Sequence, residues 1–310
     1  MLTFLPPALR GSLAAILIVA NTVACSIPLF AVALLKAVLP LRGFRIVCSR
    51  VLNGIVSFWI SINNIVMKLC SPMAVSASGI ETLQGMDPGA SFLVTSNHQS
   101  WADIVLVQIL LNRKVPQLKF FLKQELIWVP VLGLCWWALD FPFMKRHTKE
   151  YLAKHPEKKG EDLKTTRKAC EKFKDSPVCI YNFVEGTRFT PAKHKRQGSP
   201  YKYLLKPKSG GVGFVMGAMG DKIKHMINIT IEYRDQAPSF WEFLCGRCPS
   251  AHLHVELVKI PEEFLGRNYM EDREFRADIQ KWVNVLWEEK DRFMDRQTVK
   301  TEQPQPELTS

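Results

Sequence analysis

The first 80 residues contain no aspartate or glutamate, although the 310-residue chain holds 29 acidic residues. Arg10, Lys36, Arg42, Arg45, Arg50 and Lys68 all fall within that stretch. A second acid-free run, from Gly186 to Gly220, carries Arg188, Lys193, Lys195, Arg196, Lys202, Lys206 and Lys208. With 41 basic residues the formal net charge is +12, which turns the chain towards acidic partners. The first basic region flanks apolar runs, which points to an anionic membrane surface rather than a nucleic acid groove. No zinc finger, RNP-like segment or basic helical stripe occurs, so a nucleic acid partner is not expected.

Other absences narrow the chemistry. The eight cysteines are scattered and several sit in apolar runs, which excludes a disulfide framework in a chain this long. Cys245 and Cys248 form a lone CxxC, and zinc normally needs four ligands. His252 and His254 lie nearby but alternate along a strand-like segment, so no metal site is expected. The run from Ser209 to Gly213 lacks the GK[ST] ending of a phosphate loop and the full dinucleotide glycine pattern. There is no internal repeat. A composition of 47% hydrophobic and 23% charged residues excludes wholesale disorder and collagen-like repeats. The length suits two domains, or one α/β domain with an added segment.

Gly11 to Leu35 carries no charge and is long enough, at ~1.5 Å per residue, to cross a ~30 Å hydrocarbon core. The run continues past Cys25, which argues against a cleaved leader ending at Ala24. Val51 to Met67 is also uncharged, but Asn53, Ser57, Ser61, Asn63 and Asn64 make it a marginal span or an interfacial helix. Lys36, Arg42, Arg45 and Arg50 place the end of the first segment on the cytoplasmic side. Two arrangements keep the rest of the chain there: a second segment lying on the inner leaflet, or a hairpin embedded in one leaflet.

Beyond residue 72, strand patterns occur at Phe92–Thr95, Lys119–Leu122, Leu139–Met144, Val178–Val184, Met226–Tyr233 and His252–Ile260. Helical patterns occur at Trp101–Leu111, Tyr151–Phe173, Gly210–Met219 and Arg273–Arg296. Strands alternating with helices predict an α/β fold with a central sheet flanked by helices. The last helix is amphipathic, with Phe275, Ile279, Trp282, Leu286 and Phe293 at helical spacing.

Three constellations carry chemistry. Asn97-His98-Gln99-Ser100-Trp101-Ala102-Asp103 joins a strand to a helix. Residues five apart on a regular helix point about 140° away from each other. His98 and Asp103 therefore meet only if His98 lies in the entry loop and Asp103 reaches back from the first turn, with Gln99 or Ser100 as a cap. Asp103 would then hold Nδ1–H and leave Nε2 free to take a proton. The plainer reading is a histidine near a helix start with an acid in its first turn. Glu185-Gly186-Thr187-Arg188 ends a strand, where α/β sheets place ligand sites. Gly186 permits a tight turn, and Arg188 offers a planar fork for phosphate oxygens. A surface turn with a salt bridge fits the same residues. Lys123-Gln124-Glu125-Leu126, followed by Pro130 and Gly133, heads a tryptophan-rich apolar stretch. That stretch reads by default as a core helix, and otherwise as a membrane-facing or acyl-binding wall.

In this order the segments closely resemble the glycerolipid acyltransferase family, whose best-known members are 1-acylglycerol-3-phosphate O-acyltransferases. The NHxxxxD block matches Asn97, His98 and Asp103, with Ser100 between them; EGTR matches Glu185 to Arg188; K-x-E-L…P…G matches Lys123, Glu125, Leu126, Pro130 and Gly133. Val184 stands where the family usually has proline, and Asn228-Ile229-Thr230-Ile231 lacks a proline common in that strand. Both departures leave the acceptor head group and acyl preference open. The apolar segments predict membrane-anchoring helices over 1–72, the resemblance implies an acyltransferase domain over 73–300, and the polar run over 301–310, with two prolines, reads as a loose tail. It implies His98 and Asp103 as catalytic, and Glu185, Gly186, Thr187, Arg188 and, with less weight, Lys123 as substrate-binding. It implies no cofactor, with acyl-CoA or acyl carrier protein as co-substrate, and membrane phospholipid and lysophospholipid as partners. The expected reaction acylates the sn-2 hydroxyl of 1-acyl-glycerol 3-phosphate. Acylation of another lysophospholipid, or a non-catalytic basic membrane tether, are the alternatives. The compact plan with a short anchor suggests a bacterial inner membrane, with the catalytic domain facing the cytoplasm.

Overall fold

A computed structural model describes the chain apart from residues 40, 88, 145–150, 152–153, 156–172, 174–175, 270 and 303–310. Most of the helix expected over Tyr151–Phe173 lies outside the described residues. Two long helices open the chain, α1 (Pro7–Val38) and α2 (Arg42–Cys70). There follow β1 (Ala74–Ser78), β2 (Ser91–Ser96), α3 (Ala102–Leu111), β3 (Leu118–Phe120), β4 (Leu122–Lys123), α4 (Leu132–Ala138), β5 (Phe143–Met144) and β6 (Cys179–Phe183). Then come α5 (Pro191–Gln197), α6 (Gly210–Met219), β7 (Ile223–Tyr233), α7 (Phe240–Leu244), β8 (Ser250–Lys259) and α8 (Arg273–Glu302).

The main sheet has the order β1-β8-β7-β2-β6-β3. β2 pairs in parallel with β6 and β7, and β3 in parallel with β6, so four strands end on the same side. β8 runs antiparallel to β7 and parallel to β1. Period-2 alternation decides the layering. Phe92 and Val94 face one core with α3, α4 and the hairpin, while Leu93 faces a second core built on α6 and α8. The expected α/β class with a helix-flanked central sheet is what is observed.

Three strand expectations need correction. Lys119–Leu122 is not one strand: Phe121 separates β3, in the main sheet, from β4, which pairs with β5 in a separate ribbon. Of Leu139–Met144 only Phe143 and Met144 are extended; Asp140 adopts φ 60°, a left-handed conformation that breaks the strand. β1 has no counterpart among the sequence expectations, because Ala74–Ser78 is a short, mostly exposed run of small residues with only Val75 as a larger apolar side chain.

α1 and α2 are each long and apolar enough to cross a membrane. They pack antiparallel: Leu2 N–H donates to Leu69 O at 2.8 Å, and Asn21 Nδ2 donates to Asn63 Oδ1 at 2.8 Å. The polar residues that made α2 look marginal have a physical use. Asn63 and the Trp59 carbonyl bond Asn21 of α1, and the Ser57 carbonyl and Ser61 hydroxyl accept from Asn112 at the end of α3. They dock α2 on protein rather than weaken it. α1 lies along the body, with Gly11 against Cys245, just after α7, and Lys36 paired to Asp140 at 2.6 Å.

Candidate active site

β2, β3 and β6 direct their following loops to one end of the sheet, which gathers all three sequence constellations there. Asn97 follows β2 and is locked to β7 in both directions: its Nδ2 donates to Ile231 O at 2.9 Å, and Ile231 N–H donates to its Oδ1 at 2.8 Å. Gln99 Nε2 adds a bond to the same carbonyl at 3.1 Å. The loop between them holds His98.

Asp103 reaches back from the first turn of α3, the one geometry the spacing permits. Its Oδ2 accepts from His98 Nδ1 at 2.8 Å, from Gln99 N–H at 2.7 Å and from Ser100 N–H at 2.9 Å. Its Oδ1 accepts from the Tyr233 hydroxyl at 2.6 Å. Asp103 is fully buried, while the His98 side chain keeps 10% of its surface open. Burial, then the adjacent Asp103 charge, push the Tyr233 hydroxyl far above its usual range, so it stays a donor. The expected cap by Gln99 or Ser100 is not made: the N-cap is Trp101, without a side-chain cap bond, and Ser100 Oγ instead accepts the Ala102 N–H and donates to Pro238 O. The His98 ring stacks on Phe183 with centroids 3.8 Å apart, which fixes its plane.

Glu185 is buried behind His98 rather than at the surface. Its Oε2 accepts His98 N–H and its Oε1 accepts Leu205 N–H, both at 2.9 Å. Burial raises its carboxyl to about 7, against the downward pull of those two donors and of Lys290. The surface salt-bridge reading of this motif is therefore excluded, and Glu185 touches the backbone that carries His98. Gly186 takes φ +69° to turn the chain after β6, a conformation that favours glycine. Arg188 is exposed, its guanidinium 5.0 Å above the Trp101 ring, and Lys193 Nζ bridges Thr187 Oγ1 and Arg188 O. Phe189 N–H donates to His98 O at 2.7 Å, which ties this loop to the histidine loop.

Lys123 ends β4, exposed, at the same end of the sheet. The stretch after it is not the core helix read by default. Gln124–Trp128 forms a 3-10 turn and α4 has only seven residues, with Trp128, Leu134 and Trp137 at 85%, 57% and 62% exposure. A Cβ on Gly133 would sit 2.0 Å from the Ile127 carbonyl oxygen. Gly133→Ala should therefore lower stability by about 1–3 kcal/mol; an unchanged Tm would show that the turn is not this tight.

Tyr233 and Leu205 contribute here without having been marked by sequence. Tyr233 lies 130 residues from Asp103, and only the parallel register of β7 beside β2 brings them together. A family model described as Acyltransferase matches residues 75–231.

The chain belongs to the acyltransferase family.

Among its relatives, mouse (Mus musculus) 1-acyl-sn-glycerol-3-phosphate acyltransferase epsilon is 21% identical, over 64% of this chain and 56% of that one. The human (Homo sapiens) delta enzyme is 27% identical over 57% and 44%, respectively. The chain spans about half the length of these curated relatives. Its fold is like that of the crystal structure of the 1-acyl-sn-glycerophosphate acyltransferase PlsC from Thermotoga maritima, with a TM-score of 0.52, 17% identity and coverage of 91% and 97%. The glycerolipid acyltransferase resemblance drawn from the motifs holds.

Proposed function

We propose that this acyltransferase moves a fatty acyl group from a thioester, of coenzyme A or acyl carrier protein, to the sn-2 hydroxyl of 1-acyl-glycerol 3-phosphate at a membrane surface. The buried Asp103–His98 pair carries the proposal. With Nδ1 held by Asp103, Nε2 takes the hydroxyl proton as the alcohol oxygen bonds to the thioester carbonyl carbon. The tetrahedral adduct collapses, the C–S bond breaks, and the thiolate recovers the proton from the imidazolium. Ester and free thiol leave in equal amounts, with no acyl-enzyme. Asp103 stays ionised and stabilises the imidazolium. The relatives' names, the apolar hairpin and the exposed Trp128 and Trp137 support a lipid acceptor.

Arg188, exposed beside the His98 loop, binds the acceptor phosphate, and Lys193, held by Thr187 Oγ1, and Lys123 supplement the positive field. Glu185 and Gly186 shape this loop rather than touch substrate. Arg188→Ala should raise the KM for a phosphate-bearing acceptor by roughly 10- to 100-fold, the loss of a charge-assisted contact of about 1.5–3 kcal/mol. Assays offering lysophosphatidic acid beside lysophosphatidylglycerol and monoacylglycerol test the acceptor. Preference for lysophosphatidic acid that disappears in Arg188→Ala is expected; equal use of the neutral acceptor would refute the phosphate role.

A further inference from the structure

We propose that Lys290, on the C-terminal helix, is a positioning residue for His98: its side-chain nitrogen braces the strand that holds the histidine loop. This rests on the reading of His98 as the base.

Lys290 is 2% exposed, and a lysine is rarely buried without a task. It reaches the sheet from α8, where its Nζ donates to Ile229 O at 2.7 Å and to Thr230 Oγ1 at 3.1 Å. The next residue on β7, Ile231, bonds both ends of the Asn97 amide and accepts from Gln99, the two neighbours of His98. One brace therefore runs from Lys290 through β7 to the histidine loop. A second is electrostatic. Burial lowers the Lys290 ammonium to about 7, against the upward pull of Glu256 on β8, Glu185 after β6 and Glu232 on β7, and His254 on β8 feels its charge. Asp103 acts on Glu185 in the unfavourable sense. Each oxygen of Glu185 accepts one backbone N–H, from His98 and Leu205, a pattern that suits a carboxylate better than a protonated acid. Burial opposes that charge, and Lys290 offsets the penalty.

Removing the lysine charge therefore raises the Glu185 pKa further. The sign follows: activity that needs the carboxylate is lost below a higher pH than in the wild type. Lys290→Met should lower kcat by roughly 10- to 100-fold near neutral pH, the scale of a small displacement of a reacting group. The KM for lysophospholipid should stay unchanged. The acid limb of the kcat profile should move up by about one pH unit, a shift worth ~1.4 kcal/mol, with activity partly recovered in alkali. In the Glu185→Gln background the same substitution should produce no such shift. Lys290→Arg retains the charge and should keep the wild-type limb, which also gives a test if the methionine variant does not fold. A folded Lys290→Met protein with wild-type kcat and limb overturns the proposal, as does a displaced limb in Lys290→Arg or an equal shift with Glu185→Gln. If wild-type protein transfers no acyl group, the reading of the site fails separately. Lys290 is then judged by amide exchange at His98 and Leu205: faster exchange in Lys290→Met supports the brace, and unchanged exchange overturns it.

Discussion

Alanine at position 98 is expected to cut acyl transfer by about 10²- to 10⁴-fold, the usual contribution of a positioned general base. The protein should stay folded. Asp103 Oδ2 would still accept the Gln99 and Ser100 N–H groups, and Oδ1 would still accept Tyr233, so no buried donor is orphaned. His98 N–H and C=O keep their partners in Glu185 and Phe189, since both bonds are made by backbone. The comparison is kcat for wild type and His98→Ala at matched circular dichroism and Tm. Activity within a factor of two or so would remove His98 from the mechanism, however well its geometry suits the role.

The second large effect separates structure from chemistry at Asp103. Asp103→Ala leaves the His98 ring, two backbone N–H groups and the Tyr233 hydroxyl without their acceptor in a fully buried place. Each buried donor left unpaired costs about 1–3 kcal/mol, so this variant should lose both activity and fold stability. Asp103→Asn is different. An amide oxygen in the Oδ2 position can still accept from His98, Gln99 and Ser100, and the Tyr233 hydroxyl can turn to accept from the amide NH₂. The fold and the histidine tautomer survive, but the negative charge facing the imidazolium does not. A charge-assisted hydrogen bond contributes about 1.5–3 kcal/mol, so kcat should fall roughly 10- to 100-fold with Tm nearly unchanged. Urea denaturation and steady-state kinetics on the two variants check this. An asparagine variant as fast as wild type would mean that no imidazolium forms in the slow step.

The sequence spacing carried the site further than it carried the fold around it. A separation of five positions between histidine and aspartate left one arrangement in which they touch, and the strand–loop–helix junction after β2 provides it. Glu185 was placed in the right motif, yet its neighbours could not be read locally. Its partners are backbone N–H groups of His98 and Leu205, 87 and 20 residues away, and backbone groups carry no sequence signal. Phe183 looked like any inward residue of a strand until the register of β6 against β2 put its ring under His98. The tryptophan stretch misled because its composition fits a core helix. A turn at Val129–Val131, with the Ile127 carbonyl close against Gly133, instead interrupts it and leaves Trp128 and Trp137 facing outward. In α2, scattered asparagines and serines suggested a poor membrane helix, whereas Asn63 meets α1, and Ser57 and Ser61 meet Asn112 at the end of α3.

The most direct measurement follows ester and free thiol together when purified protein, in mixed micelles, is given an acyl thioester and lysophosphatidic acid. Direct transfer assisted by His98 predicts one thiol for each ester formed, and no burst of thiol before acceptor is added. Thiol released without acceptor would contradict direct transfer, and no ester from folded protein with either acyl-CoA or acyl carrier protein as donor would contradict the proposed reaction itself.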